Sequence, residues 1–432
     1  MTPLETRQKI FYGWFVLAAA FFVLFVSTGA RNSLGFFVIP MSEEFEWSRG
    51  SMSMALGIGW FANGVTQPAI GRLYDRYGGR LVVSVSLLII GLCTILLSAT
   101  QSLSFLIVVY GVIISVAAGG ASLVTLHAVL AKWFYRRRGM VMSIATSGAS
   151  AGALVLAPFT AYMILWAGWR ITWVVLGFVV FIALPMAFIL IRDNQSGNGD
   201  SGASDFSSRP TANPRGTDLR RRGILENDSW VQSYRSHPIW QLTGAYFVCG
   251  MTTAIISFHY VPFAIDRGFS VGNAGLAFGL MSGLNVVGVL GVGIVSDKMS
   301  QKYLLGSVYG VRGIAYAMLI FAPGFFGLWG FAIIAGLSWV ASAPLTSSLT
   351  ADIYGTRNLG TLGGMTTLAH QVGGAISIVM GGVLYDLFGS YDVPFAISGS
   401  LLSAASIAAF TVAEKKYSVR YQNPLVSSVS GK

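Results

Sequence analysis

Apolar windows of roughly 20 residues follow one another along this chain, each closed by a short polar stretch. A helix needs about that many residues to cross some 30 Å of hydrocarbon at 1.5 Å per residue. The windows lie near 11–37, 50–70, 81–99, 103–130, 139–165, 171–191, 239–265, 271–295, 303–322, 328–350, 360–385 and 393–413. They predict an all-α membrane protein with twelve transmembrane helices, six per half. A β-barrel would show short alternating segments instead. Between the halves, residues 193–236 are rich in Ser, Gly, Asn, Asp and Arg and almost free of apolar runs, which reads as a disordered linker. The expected organisation is a six-helix unit over 1–192, a linker over 193–238, a second six-helix unit over 239–414 and a tail over 415–432.

The halves are copies. Gly71-Arg72-Leu73-Tyr74-Asp75-Arg76-Tyr77-Gly78-Gly79-Arg80 joins two windows, and a worn version, Gly293-Ile294-Val295-Ser296-Asp297-Lys298-Met299-Ser300-Gln301-Lys302, joins two more at an offset of 297 − 75 = 222. Pro40 with Pro262 and Ser48 with Ser270 keep that offset, and Gly139 with Gly360 and Gly168 with Gly389 keep 221. Duplicated membrane units that rock against each other are a common plan for secondary transporters.

Composition agrees: 54% of residues are hydrophobic, 10% are charged, and mean hydropathy is +0.66. Lys and Arg fall on one side of the predicted membrane if the N-terminus is inside, leaving only Arg49, Arg170 and Arg267 to face out. That bias accounts for the net charge of +11, so nucleic-acid binding is not inferred from it. Cys93 and Cys249 lie in apolar windows of opposite halves, and no disulfide framework is indicated. The first window is too long for a signal peptide's apolar core and lacks a small-residue cleavage site, so it reads as a retained helix. The expected location is a bacterial inner membrane with both termini cytoplasmic.

These residues resemble the major facilitator superfamily. The segment Gly71–Arg80 is similar to its loop between helices 2 and 3, and Gly293–Lys302 to the second copy between helices 8 and 9. The resemblance implies the major facilitator fold, two pseudo-symmetric six-helix bundles with helices 1, 4, 7 and 10 lining a central cavity that opens alternately to each side. Gly13-Trp14, Gly29, Ser33, Gly35-Phe36-Phe37 and Phe45-Glu46-Trp47-Ser48 further resemble the monocarboxylate and oxalate transporter branch. Ser338-Trp339, Pro344-Leu345-Thr346 and His370-Gln371 look like its bacterial members. Where that branch carries a helix-8 Arg, often with an Asp or Asn four residues earlier, this chain has Val289 and Asn285.

The seventeen Asp and Glu fall in loops, in the linker or at helix ends. A mid-membrane carboxylate costs about 2.5 kcal/mol or more and is kept for a purpose such as holding a cation. Its absence shifts the cargo toward anions or neutral molecules. Arg31, with Asn32 beside it, sits on the first window, where a guanidinium suits a carboxylate; the competing reading is a side chain reaching back to the interface. Arg312, deep in the ninth window, reads as paired to backbone carbonyls or a helix C-terminus, with cargo contact as the alternative. His259 and His370 are the side chains placed to carry a proton. Asn285, Trp339 and Gln371 join Arg31, Asn32, His259 and His370 as expected substrate-binding residues. His127 and His237 read as structural or solvated. Asp75 with Arg76 and Arg80, and Asp297 with Lys298, read as gating residues, because a carboxylate at one helix end can hold the positive N-terminus of a neighbouring helix.

Walker loops, Cys/His metal spacing and a Ser/His/Asp set on one side of the membrane are all missing, so neither an enzyme nor a cofactor is expected. The leading expectation is a secondary transporter of a small organic anion, a monocarboxylate by preference, moved with a proton or exchanged for another anion. Expected partners are that anion, a proton or counter-anion and the lipid bilayer, with no nucleic acid and no obligatory protein. Proton-driven efflux of a hydrophobic drug or metabolite, and a membrane sensor that moves nothing, stay open.

Overall fold

The computed structural model describes residues 11–33, 37–47, 49–134, 137–192, 225–322 and 324–421. Six long helices form the first half: α1 (Gly13–Asn32), α2 (Arg49–Tyr77), α3 (Gly79–Leu96), α4 (Leu103–Trp133) and the run Arg138–Leu190, which Gly168 divides into α5 (138–167) and α6 (169–190). The second half repeats them as α7 (His237–Asp266), α8 (Val271–Ser296), α9 (Gln301–Phe321), α10 (Gly324–Tyr354), α11 (Leu359–Phe388) and α12 (Asp392–Phe410). Gly168 breaks the run with φ 81°, and its repeat mate Gly389 caps α11 with φ 66°, a conformation L side chains rarely adopt.

Eleven of these helices are long and apolar enough to cross a bilayer on composition alone. The twelfth, α2, has 29 residues and the length to span, but Asn63, Gln67 and Pro68 dilute its hydropathy. Those polar residues are buried inside the protein, as an intramembrane polar side chain requires.

Each half supplies most of one apolar core, with Ala351 and Leu359 of the second half joining the first. Small residues allow close helix contact. Gly148 and Gly152 of α5 lie against the backbone of Phe21 and Phe25 of α1, and Gly250 of α7 lies against the His370 carbonyl of α11, its pseudo-symmetric counterpart. The outer surface is apolar where a soluble protein would be polar: Leu165, Trp166, Phe321 and Phe326 are all more than 70% exposed. Such a surface belongs in lipid.

Residues 193–224, most of the expected linker, lie outside the described residues. The rest of it is not loose chain: Leu225 N–H donates to the Ile353 carbonyl, Asn358 donates to the Asn227 carbonyl, and Arg72 stacks on Trp230 at 4.8 Å. Past α12 the chain also stays engaged, through a short helix Glu414–Tyr417 and a turn at 419–421. The Glu414 carboxylate accepts from the N–H groups of Gln301 and Lys302, capping the N-terminus of α9. Residues 422–432 lie outside the described residues.

Candidate transport site

The two bundles meet along two seams related by the repeat, α2 with α11 and α8 with α5. At the end bearing the basic loops, Asp75 accepts from Gly360 N–H (3.1 Å), Thr361 N–H (2.8 Å) and the Thr361 hydroxyl (2.6 Å). Asp297 accepts from Met140 N–H at 3.3 Å. In both places a carboxylate at the end of one helix holds the positive N-terminus of a helix in the other bundle.

The copies differ by one hydroxyl. Thr361 supplies it to Asp75, whereas its counterpart Met140 has none for Asp297, and one oxygen of Asp297 is buried without a hydrogen bond. Burial pushes the Asp297 carboxyl up to about 6 despite Arg420 beside it. With its proton affinity raised above the ordinary 3.8, Asp297 favours the joined arrangement fully below about 4. That contribution is lost as pH rises through about 6. Met140→Thr is expected to lower the Asp297 titration and move this window to lower pH, read as the change in midpoint of a spin-label distance between the basic ends. An unchanged midpoint would show that the hydroxyl is not the cause.

The described contacts of the remaining residues read as gating lie within their own bundle. Arg76 stacks on Tyr77 of its own helix (5.2 Å), Arg80 stacks on Phe188 of α6 (4.1 Å), and Lys298 is exposed. The charge that does cross is a pair missed from sequence. Arg138 Nη1 lies 2.8 Å from Asp352, with the two side chains 3% and 5% exposed, and Arg138 also donates to the carbonyls of Phe134 and Ala131 at the end of α4. Arg420, beyond α12, reaches Asp352 at 3.6 Å, Asp297 at 3.7 Å and the Ser296 carbonyl at 2.7 Å.

Midway along each seam stands an asparagine. Asn63 donates to the Ser115 carbonyl (2.7 Å) and accepts from Gln371 of α11 (3.1 Å) and from Gln67 (3.3 Å). Asn285, at an offset of 285 − 63 = 222, donates to Ser150 of α5 (2.8 Å) and accepts from Val340 N–H (3.0 Å). The offset was visible in the sequence; only Asn285 was singled out there.

The other expected site residues separate into groups. Arg31 is half-buried near the far end of α1, its guanidinium 5.9 Å from the Trp60 ring, while Tyr110 donates to its carbonyl at 3.5 Å. Among the described ion pairs none includes Arg31, and the buried indole N–H of Trp60 has no acceptor. The Asn32 side chain lies outside the described residues. His259 bonds the Ile378 carbonyl at 3.0 Å and packs on Tyr391, apart from the others. His370 packs against Tyr246, and its Nδ1 lies 3.3 Å from Gln371 Oε1.

Arg312 is fully buried and donates to the carbonyls of Ser338 and Trp339, where α10 is interrupted between residues 338 and 342 shortly before Pro344. This is pairing at a helix C-terminus, and the freed carbonyls find in it the donor that lipid cannot supply. The Trp339 ring stands edge-on to Phe278 at 5.7 Å. Cys93 and Cys249 are both free thiols.

Residues 20–378 match the model of the Major Facilitator Superfamily. The chain belongs to that superfamily. An uncharacterized MFS-type transporter of Bacillus subtilis (strain 168), YcxA, is 28% identical, over 89% of this chain and 91% of its own length. Mouse monocarboxylate transporter 11 is 26% identical, over 91% of this chain and 86% of its own. A probable sulfoacetate transporter of Cupriavidus necator, SauU, is 26% identical, over 94% and 95%. The solved structure of the proton:xylose symporter XylE superposes with a TM-score of 0.74 at 14% identity, covering 95% of this chain and 98% of that one, and shows the shared fold. This is a multi-pass membrane protein of a transporter family with twelve helices in two six-helix bundles, similar to monocarboxylate transporters.

Proposed function

We propose that this major facilitator protein carries a small organic anion, a monocarboxylate or a close relative, by alternating access, with a proton or in exchange for a second anion. The observation that carries the reading is Arg31: an intramembrane guanidinium outside the described ion pairs, stacked beside a buried indole N–H that lacks an acceptor. Two donors with no acceptor among the described residues, where the bundles approach one another, suit a carboxylate or sulfonate. Similarity to a monocarboxylate transporter and to a probable sulfoacetate transporter supports the same class of cargo.

In this reading the basic loops face the cytoplasm, in a bacterial inner membrane. The Asp75, Asp297 and Arg138–Asp352 contacts close the inner end and break when it opens. The Asn63–Gln371 and Asn285–Ser150 contacts steady the bundles midway. The two apolar cores, drawn mainly from opposite halves, support domain limits near 192 and 239. Arg31→Gln is expected to abolish uptake of the carried anion in proteoliposomes while leaving thermal stability and monodispersity unchanged. Undiminished uptake would remove Arg31 from the site.

A further inference from the structure

His127 is 2% exposed on α4, yet neither ring nitrogen is idle. Nε2 lies 2.9 Å from the Thr146 hydroxyl of α5, and Nδ1 lies 2.9 Å from the Ser347 hydroxyl of α10, in the other bundle. Thr146 already donates its single hydroxyl proton to the Met142 carbonyl at 2.8 Å. It can only accept from the ring, so the network assigns the proton to Nε2 and leaves the Nδ1 lone pair to accept from Ser347.

That lone pair therefore sits on the contact between the two bundles. His127 and Ser347 are 220 positions apart, within two residues of the repeat, which places their contact beside the axis relating the halves. Both line a small cavity with Tyr246, Thr346, Thr366 and Thr367, in the half nearer the basic loops, and the Thr367 hydroxyl is buried without a partner.

We propose that His127 takes up the coupling proton, on Nδ1, when the basic ends part. The proposal rests on the transport reading above. Parting removes the Ser347 hydroxyl and admits water, so a hydronium in that water gives its proton to the freed Nδ1 lone pair, breaking one O–H bond and leaving water. Rejoining buries the ring again, withdraws solvation from the imidazolium and passes the Nδ1 proton to the carboxylate of the bound anion, which crosses as the neutral acid and releases it on the far side.

The titratable or charged groups on the packed elements are Lys132 of the same helix, Arg138 on α5, Tyr246 on α7, Asp352 on α10 and His370 on α11. Arg138 and Asp352 are paired with each other, and Lys132 stacks on Tyr74 at 4.6 Å. None of them is a hydrogen-bond partner of the ring nitrogens, which are taken by Thr146 and Ser347.

His127→Gln keeps both contacts, since an amide N–H serves Thr146 and an amide oxygen accepts from Ser347, but it cannot take up a proton. Wild type and variant are reconstituted with a trapped pH dye and offered lactate, pyruvate and sulfoacetate. The variant is expected to lose cargo-linked proton flux and accumulation driven by a pH step, while keeping exchange of labelled for unlabelled cargo. Retained proton flux overturns the proposal, and so does loss of exchange in a variant that remains folded.

A second measurement needs no cargo. Spin labels at Leu81 and Met299, on opposite bundles at the basic end, report their separation between pH 8 and 5.5 with Cys93 and Cys249 replaced. Wild type is expected to shift toward longer distances on acidification relative to His127→Gln, the Asp75 and Asp297 responses being common to both. Identical pH responses overturn the role of His127. Absence of flux with every acid, alongside a distinct pH response, sinks the cargo class and leaves His127 standing.

Discussion

Gly71→Val is expected to stop transport by holding the basic ends apart. A Cβ at position 71 would lie 2.2 Å from the Gly360 carbonyl oxygen, 2.6 Å from its carbon and 3.0 Å from the Thr361 Cα. These are backbone atoms, so no rotamer change relieves the overlap. Inserting atoms into a packed site costs about 1–3 kcal/mol, and more where backbone must move. At about 1.4 kcal/mol per tenfold, 3 kcal/mol shifts the joined-to-parted ratio by roughly 100-fold. Gly71 touches α11 rather than its own bundle, so each bundle should stay folded and thermal unfolding should change little. The same overlap withdraws Asp75 from Gly360 and Thr361, adding to the effect. Distances between labels at the basic end should lengthen and uptake should fall by a comparable factor. Wild-type distances in Gly71→Val would mean that this glycine is not what lets the seam close.

Asp352→Asn is expected to have an effect of similar size by another route. The substitution leaves the buried guanidinium of Arg138 without its carboxylate, and removing one partner of a buried pair costs about 3–5 kcal/mol. The loss falls on the joined arrangement, because Arg138 and Asp352 belong to different bundles and water can reach both once these part. Arg138→Gln should act alike, and the double variant should be less impaired than the sum of the two. That non-additivity separates a pair from two independent contacts, and a double-mutant cycle on the label distances measures it. Strict additivity would refute the pairing.

Spans and duplication were legible because lipid imposes one rule on the whole chain: every crossing backbone must satisfy its own hydrogen bonds, so apolar helical lengths recur. Asp75 and Asp297 were legible for a related reason, since a charged loop motif repeated at a fixed offset stands out from apolar surroundings. Arg138–Asp352 was hidden, because each residue has an ordinary explanation at a helix end and their pairing depends on how the bundles dock. Asn63 was discoverable from its offset to Asn285 but carries no charge to draw notice. His127 was set aside as one histidine near a helix end; its significance lies in Thr146 and Ser347, which only folding brings to it. The unanswered N–H of Trp60 was hidden as well, because it depends on what the seam excludes.

The turn beyond α12 reaches the seam between the bundles from outside the twelve-helix scaffold. Arg420 touches two carboxylates that each grip the opposite bundle, so the strength of that grip is adjustable by residues free of the hydropathy constraint that governs every membrane crossing. In the transport reading proposed above, changes in this short extension are expected to alter the balance between inward and outward states at little cost to folding. Paralogues with matching interiors would then differ in turnover through their final turns alone.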